Sequence, residues 1–284
     1  MFAAFRKSPS DTVERPQLEL SGPALTEALE RIAAGCEAGG GIDRYVMALQ
    51  LRHGVFSDIL IEKNEGPLSP ESLAALTMFM PTVRRRIAPY LSAEKFGALR
   101  DAITGLLETK HEYDKVDERM AAFCSHFPQD KTHRWVRDLA AELLHGVDPE
   151  RYPMMCRWIW DETANTGVLR EIWHGDIDSI TLHVPDTYGT FLMLREELSQ
   201  FLASHGVMQD TQAHVDLLCA QIYAEYISAQ GGSYLRADFS SADDPMAHVR
   251  RLLGLDGIQP KANRIAGAGT KFDIAGAIAQ IEKG

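Results

Sequence analysis

The sequence predicts an all-α fold, an irregular multi-helix bundle of about eight to ten helices around a buried, tryptophan-rich central helix. Three observations predict it. Apolar residues recur at helical spacing along most of the chain. Serine or aspartate followed closely by proline, the punctuation of a helix start, opens several of these stretches. Convincing strand-like alternation occurs once, at Ser179–Val184, with no second strand near it, so this stretch is expected to be an extended connector.

Taken in order, residues 1–20 are polar, contain Pro9 and Pro16, and read as an N-terminal arm. The helical core is expected over 21–230. Ser21 and Pro23 open a first helix that stops at Gly39-Gly40-Gly41. A second, near 42–62, carries the stripe Ile42, Tyr45, Val46, Leu49, Val55, Phe56 and Ile59. Ser69-Pro70-Glu71 opens a third, which Pro81 should kink and Pro89 should end. The longest pattern, 92–125, places Phe96, Leu99, Ile103, Leu106, Tyr113, Met120 and Phe123 on one side. Asp130 caps a shorter helix bearing Trp135, Val136, Leu139 and Leu143. The tryptophan stretch follows Asp148-Pro149, breaks at Thr163–Gly167 and resumes as one short helical turn. Two amphipathic helices are expected near 188–204 and 209–229. Past Gly231-Gly232 the composition shifts, and 231–284 reads as a loosely attached C-terminal segment with helices near 245–253 and 272–282.

Composition bounds the function. Hydrophobic residues make up 45% of the 284 and charged ones 24%, enough apolar material to bury a core. Forty acidic against 29 basic residues give a net charge of −11, which opposes binding to nucleic acid or anionic membranes. The one basic cluster, Arg84-Arg85-Arg86, is read as a solvated or salt-bridged face. Cys36, Cys124, Cys156 and Cys219 form no CxxC pair, so buried free thiols in a reducing compartment are expected. The first residues lack the apolar core of a signal peptide, and no run approaches the ~18 apolar residues of a membrane span. The expected location is cytoplasmic.

The central stretch, 151–178, concentrates Trp158, Trp160 and Trp173 with an unusual load of charge. On a helix, Met155, Trp158, Ile159 and Glu162 share one side. Arg157 and Asp161 stand four residues apart and should pair, and Arg170 should meet Glu171 or Glu162. A carboxylate held among apolar groups carries a raised pKa, so Glu162, Glu171, Arg157 and Arg170 are the candidate catalytic set. His174, Asp176 and Asp178 supply three metal-type donors within five residues, and make the candidate metal set. His174-x-x-x-Asp178 resembles part of the iron-ligand pattern of the heme-oxygenase-like di-iron proteins, which are also all-α. That pattern continues with a histidine three residues on, where this chain has Thr181. The bland reading of the same residues is a helix end, with Gly175 past its terminus.

Two Glu-x-x-His pairs, Glu108/His111 and Glu142/His145, have the spacing used in metal-binding bundles. On the helical wheel both fall away from the apolar faces of their helices, so they are expected at the surface. Asp210 and His214 read as a surface contact, and Gly267-Ala268-Gly269 as a hinge. The sequence names no cofactor. With no intact catalytic motif, it favours a protein that binds another protein: an adaptor, assembly factor or regulator, with homo-oligomerisation compatible. The rival is an enzyme with a His/carboxylate site, metal-dependent in one version, near 157–178.

Overall fold

Ten α-helices and no strand make up the secondary structure in a computed structural model that describes residues 16–37, 40–62, 66–108, 111–175, 180–230 and 244–256. The fold is an all-α bundle. Its helices are α1 (Gly22–Glu37), α2 (Asp43–Ser57), α3 (Pro70–Thr77), α4 (Phe96–Glu108) and α5 (Val116–Ser125). They continue with α6 (Trp135–Val147), α7 (Val168–Glu171), α8 (Tyr188–Ser204), α9 (Thr211–Gln230) and α10 (Ala247–Leu252). A π-helical turn, Asp58–Glu62, prolongs α2. Among the described residues no helix is long and apolar enough to cross a membrane.

The local rules behind these starts are visible in the side chains. The Ser69 hydroxyl accepts the Ser72 amide at 3.1 Å, Ser72 answers with its own hydroxyl, and Pro70 occupies the first turn of α3. The Asp130 carboxylate accepts the amides of Thr132 and His133, capping a short 3-10 turn that leads into α6. Arg84 forks onto Asp256 at 2.9 and 3.0 Å, so the basic cluster is partly salt-bridged as expected.

Three expectations need correction. The 92–125 pattern is two helices, not one. Arg119 of α5 turns back and donates to the Leu106 carbonyl in the last turn of α4 at 2.6 Å. The third helix ends at Thr77 before Pro81 is reached, and turns run on to Ile87. The tryptophan stretch is buried but is not a helix: residues 151–167 form turns and a single bridge, Asp161 to Thr166. Such a segment must find its hydrogen bonds elsewhere. The Arg157 amide donates to Asp138 of α6, the Trp160 indole to the Val184 carbonyl, and the amides of Val168 and Leu169 to Trp158 and Ile159. Asn165 (φ 50°) and Gly167 (φ 124°) make the return, and a side chain on Gly167 would stand 2.7 Å from the Ile159 carbonyl.

The helix enclosed on all sides is α6. Eleven of its thirteen residues are buried, polar ones included, so it has no solvent face. α2, α4 and α5 pack against it, while α9 packs on α1, α2, α7, α8 and α10. Gly146 permits the closest approach between α2 and α6, since a Cβ there would fall 2.0 Å from the Phe56 ring. Of the N-terminal arm, residues 16–20 lie along 172–174: Leu18 is buried and Glu19 accepts the His174 amide at 2.7 Å. Of the C-terminal segment, 244–256 packs against α9 and α1, burying Met246, Val249, Leu253 and Leu255. The helix expected at 272–282 lies outside the described residues.

A candidate metal centre between α2, α6 and α9

α6 carries a polar stripe on the face its apolar wheel leaves over: Asp138, Glu142 and His145, spaced i, i+4, i+7. All three are buried, with 1% of their surface exposed. Buried charge requires partners, and each residue of the stripe meets a different neighbour. Asp138 takes Arg157 through the backbone amide at 2.9 Å and through Nη2 at 2.8 Å. Glu142 pairs with Arg52 of α2, itself 1% exposed and seated 5.0 Å over the Phe56 ring. Burial pushes the Glu142 carboxyl up, while Arg52 and His145 pull it back down.

His145, at the end of the stripe, meets Asp216 of α9 and His53 of α2. One ligand atom from each of the three lies within 4.8 Å of the others. The His145 Nδ1 donates to the Tyr152 carbonyl at 2.8 Å, which in the neutral ring leaves Nε2 as a lone pair. That Nε2 stands 3.1 Å from Asp216 Oδ2. The contact is not aligned as a hydrogen bond, and neither atom has a hydrogen-bond partner among the described residues. His53 sits half-buried, its ring 5.0 Å from that of His145 and its Nδ1 3.4 Å from the Gly146 carbonyl. Burial, then His145, then Arg52 push His53 down to about 2, so its ring is neutral.

Two imidazoles anchored through Nδ1 and one carboxylate form a donor set for a borderline divalent ion. Ligands about 2.0–2.2 Å from an ion stand roughly 3–3.5 Å apart. The His145–Asp216 separation already matches, and His53 needs a shift of at most roughly 1.3–1.8 Å to join them. Beside the cluster is a cavity of about 20 Å³, lined by His145, Asp216 and apolar side chains of α8 and α9. Arg195 also borders it, giving Nη1 to the carbonyls of Pro149 and Glu150.

The residues singled out from the sequence stand elsewhere. Arg157 binds Asp138, not Asp161, because the segment is not helical; Asp161 pairs with Arg134 instead. Glu162 is exposed and so does not share an apolar face with Trp158, which is buried against Tyr223 at 5.7 Å. Arg170 donates to Asn165 and to the Ile180 carbonyl, and Glu171 is half-buried at the end of α7. Of the four, Arg157 and Glu171 both lie within electrostatic reach of the Tyr223 hydroxyl. His174 is exposed, in a non-helical turn at Trp173–Gly175, while Asp176 and Asp178 lie outside the described residues. Glu142/His145, expected at the surface, is buried; Glu108 is exposed as expected.

The missed residues left traces. Arg52 falls on the apolar stripe of α2 between Leu49 and Phe56, and Asp216 interrupts the run Val215 to Ala220. A charge inside an apolar run asks for a buried partner. Comparison with protein families, with curated proteins and with solved structures returns no match to this chain.

Proposed function

We propose that this chain is a metal-dependent helical protein whose divalent ion is held by His53, His145 and Asp216 at the meeting of α2, α6 and α9. One observation carries the reading. His145 Nε2 and Asp216 Oδ2 face each other in the core, each without a hydrogen-bond partner among the described residues, beside a third neutral donor. An ion between them satisfies both atoms at once, where an unaligned polar contact would leave their desolvation uncompensated. The enzyme reading thus moves from residues 157–178 to this core cluster.

The test is uptake of zinc or cobalt by chelator-treated protein, measured as bound ion per chain. The wild type is expected to take up one ion. His145→Ala and Asp216→Asn should each lose it or weaken it by about 10–100-fold or more, while circular dichroism checks that both remain folded. A wild-type protein that binds no ion would leave the cluster as an ordinary buried ion pair. The second reading, a protein that works by binding another protein, is supported by an apolar groove of about 640 Å³ lined by Ile59, Leu60, Ile61, Leu68, Ile103 and Leu107. It stands alone if the cluster takes no metal.

A further inference from the structure

Three protein donors do not complete the coordination of a divalent transition ion, and the arrangement here decides where the remaining position points. His145 and Asp216 border both the ligand cluster and the 20 Å³ cavity; His53 borders only the cluster. The cavity therefore adjoins the cluster through His145 and Asp216 and is not lined by His53. Its other walls include Phe191, Leu194, Val215 and Cys219, and burial pushes the Cys219 thiol up, so this side chain lines the wall as a neutral thiol. A space of this kind has room for a small ligand beside the ion. Three protein ligands with one open position is the composition of metal sites that bind or activate an exogenous molecule, whereas structural sites close with four.

Resting on the metal reading above, we infer that the ion at His53, His145 and Asp216 keeps one exchangeable position opening into this cavity, where a small exogenous ligand can reach it. The chemistry selected is that of small ligands. Most of the wall is apolar, with Arg195 and Gln212 as its polar members besides His145 and Asp216, and orientation comes from the ion and the Asp216 carboxylate.

Cobalt-loaded full-length protein tests this, because the visible absorption of cobalt(II) reports its coordination directly. Cyanide, a diatomic probe, is expected to bind one per cobalt and to shift the spectrum. Val215→Leu adds one methylene to the cavity wall. It should retain cobalt with unchanged affinity but bind cyanide about tenfold or more weakly. If Val215→Leu does not fold, Cys219→Val narrows the cavity from the next turn of α9 and carries the same expectation. Cobalt uptake without a response to cyanide overturns this inference and leaves the metal site standing. An unchanged cyanide response in the folded variant overturns the assignment of the open position to the cavity. Failure to take up cobalt overturns the metal reading on which the inference rests.

Discussion

The fold opposes protonation of His53, with burial acting first and the neighbouring His145 and Arg52 adding to it. The sign of the consequence is fixed. An unfolded histidine takes up a proton near pH 6.5, while the folded one resists down to about 2. Below pH 6.5 the unfolded chain binds the extra proton, so metal-free protein loses stability as pH falls. Urea unfolding of chelator-treated protein should show a loss of about 1 kcal/mol between pH 6.5 and 5.5 from this residue. His53→Gln should remove that part of the slope, and an unchanged slope would place the proton elsewhere. The polar residues of the cluster were legible one at a time. Arg52 stands on an apolar stripe and Asp216 in an apolar run. Their meeting was not legible, because it joins residues 52, 53, 145 and 216 through tertiary packing, which helical periodicity does not encode.

At the scale of elements, α6 shows where reading one face of a helix fails. The Trp135–Leu139–Leu143 face is apolar as expected, but the opposite stripe of Asp138, Glu142 and His145 is buried as well. A wheel assigns the polar side to water only when water is there, and α6 is enclosed by α2, α4 and α5. The tryptophan stretch fails in the opposite sense. Its apolar composition predicts burial, and Trp160 is fully buried, but the same composition does not distinguish a buried helix from buried turns. The turn chemistry of Asn165 and Gly167 predicts a break, and both residues turn the chain there. Gly146 sets the distance between α2 and α6, and thereby the reach from His53 to His145. Gly146→Ala should destabilise the fold by about 1–3 kcal/mol through overpacking against Phe56, despite the better helix propensity of alanine. It should also weaken metal uptake, since the Gly146 carbonyl faces His53 Nδ1. A variant as stable as wild type in thermal unfolding would show that α2 yields without cost.

At the scale of the whole molecule, composition and punctuation were enough to predict an all-α bundle, because caps, prolines and periodicity are local signals. Core membership follows from the same stripes: residues of α1, α2, α4, α6, α8, α9 and α10 join one contiguous apolar cluster. Three of the four thiols, Cys36, Cys156 and Cys219, are buried in it, and burial pushes each up, Cys36 to about 11. A thiol-specific disulfide reagent at pH 7.5 should therefore modify no more than Cys124 in the native protein, with the remaining three reacting together as the chain unfolds. Stepwise exposure before the main transition would mean that the bundle is not one cooperative unit. The position of the metal is decided by a crystal of the zinc-loaded protein. One anomalous difference peak is expected about 2.0–2.2 Å from donor atoms of His53, His145 and Asp216. A peak at His174 instead, or no peak in the core with His145 Nε2 and Asp216 Oδ2 closed into a hydrogen bond, would contradict it.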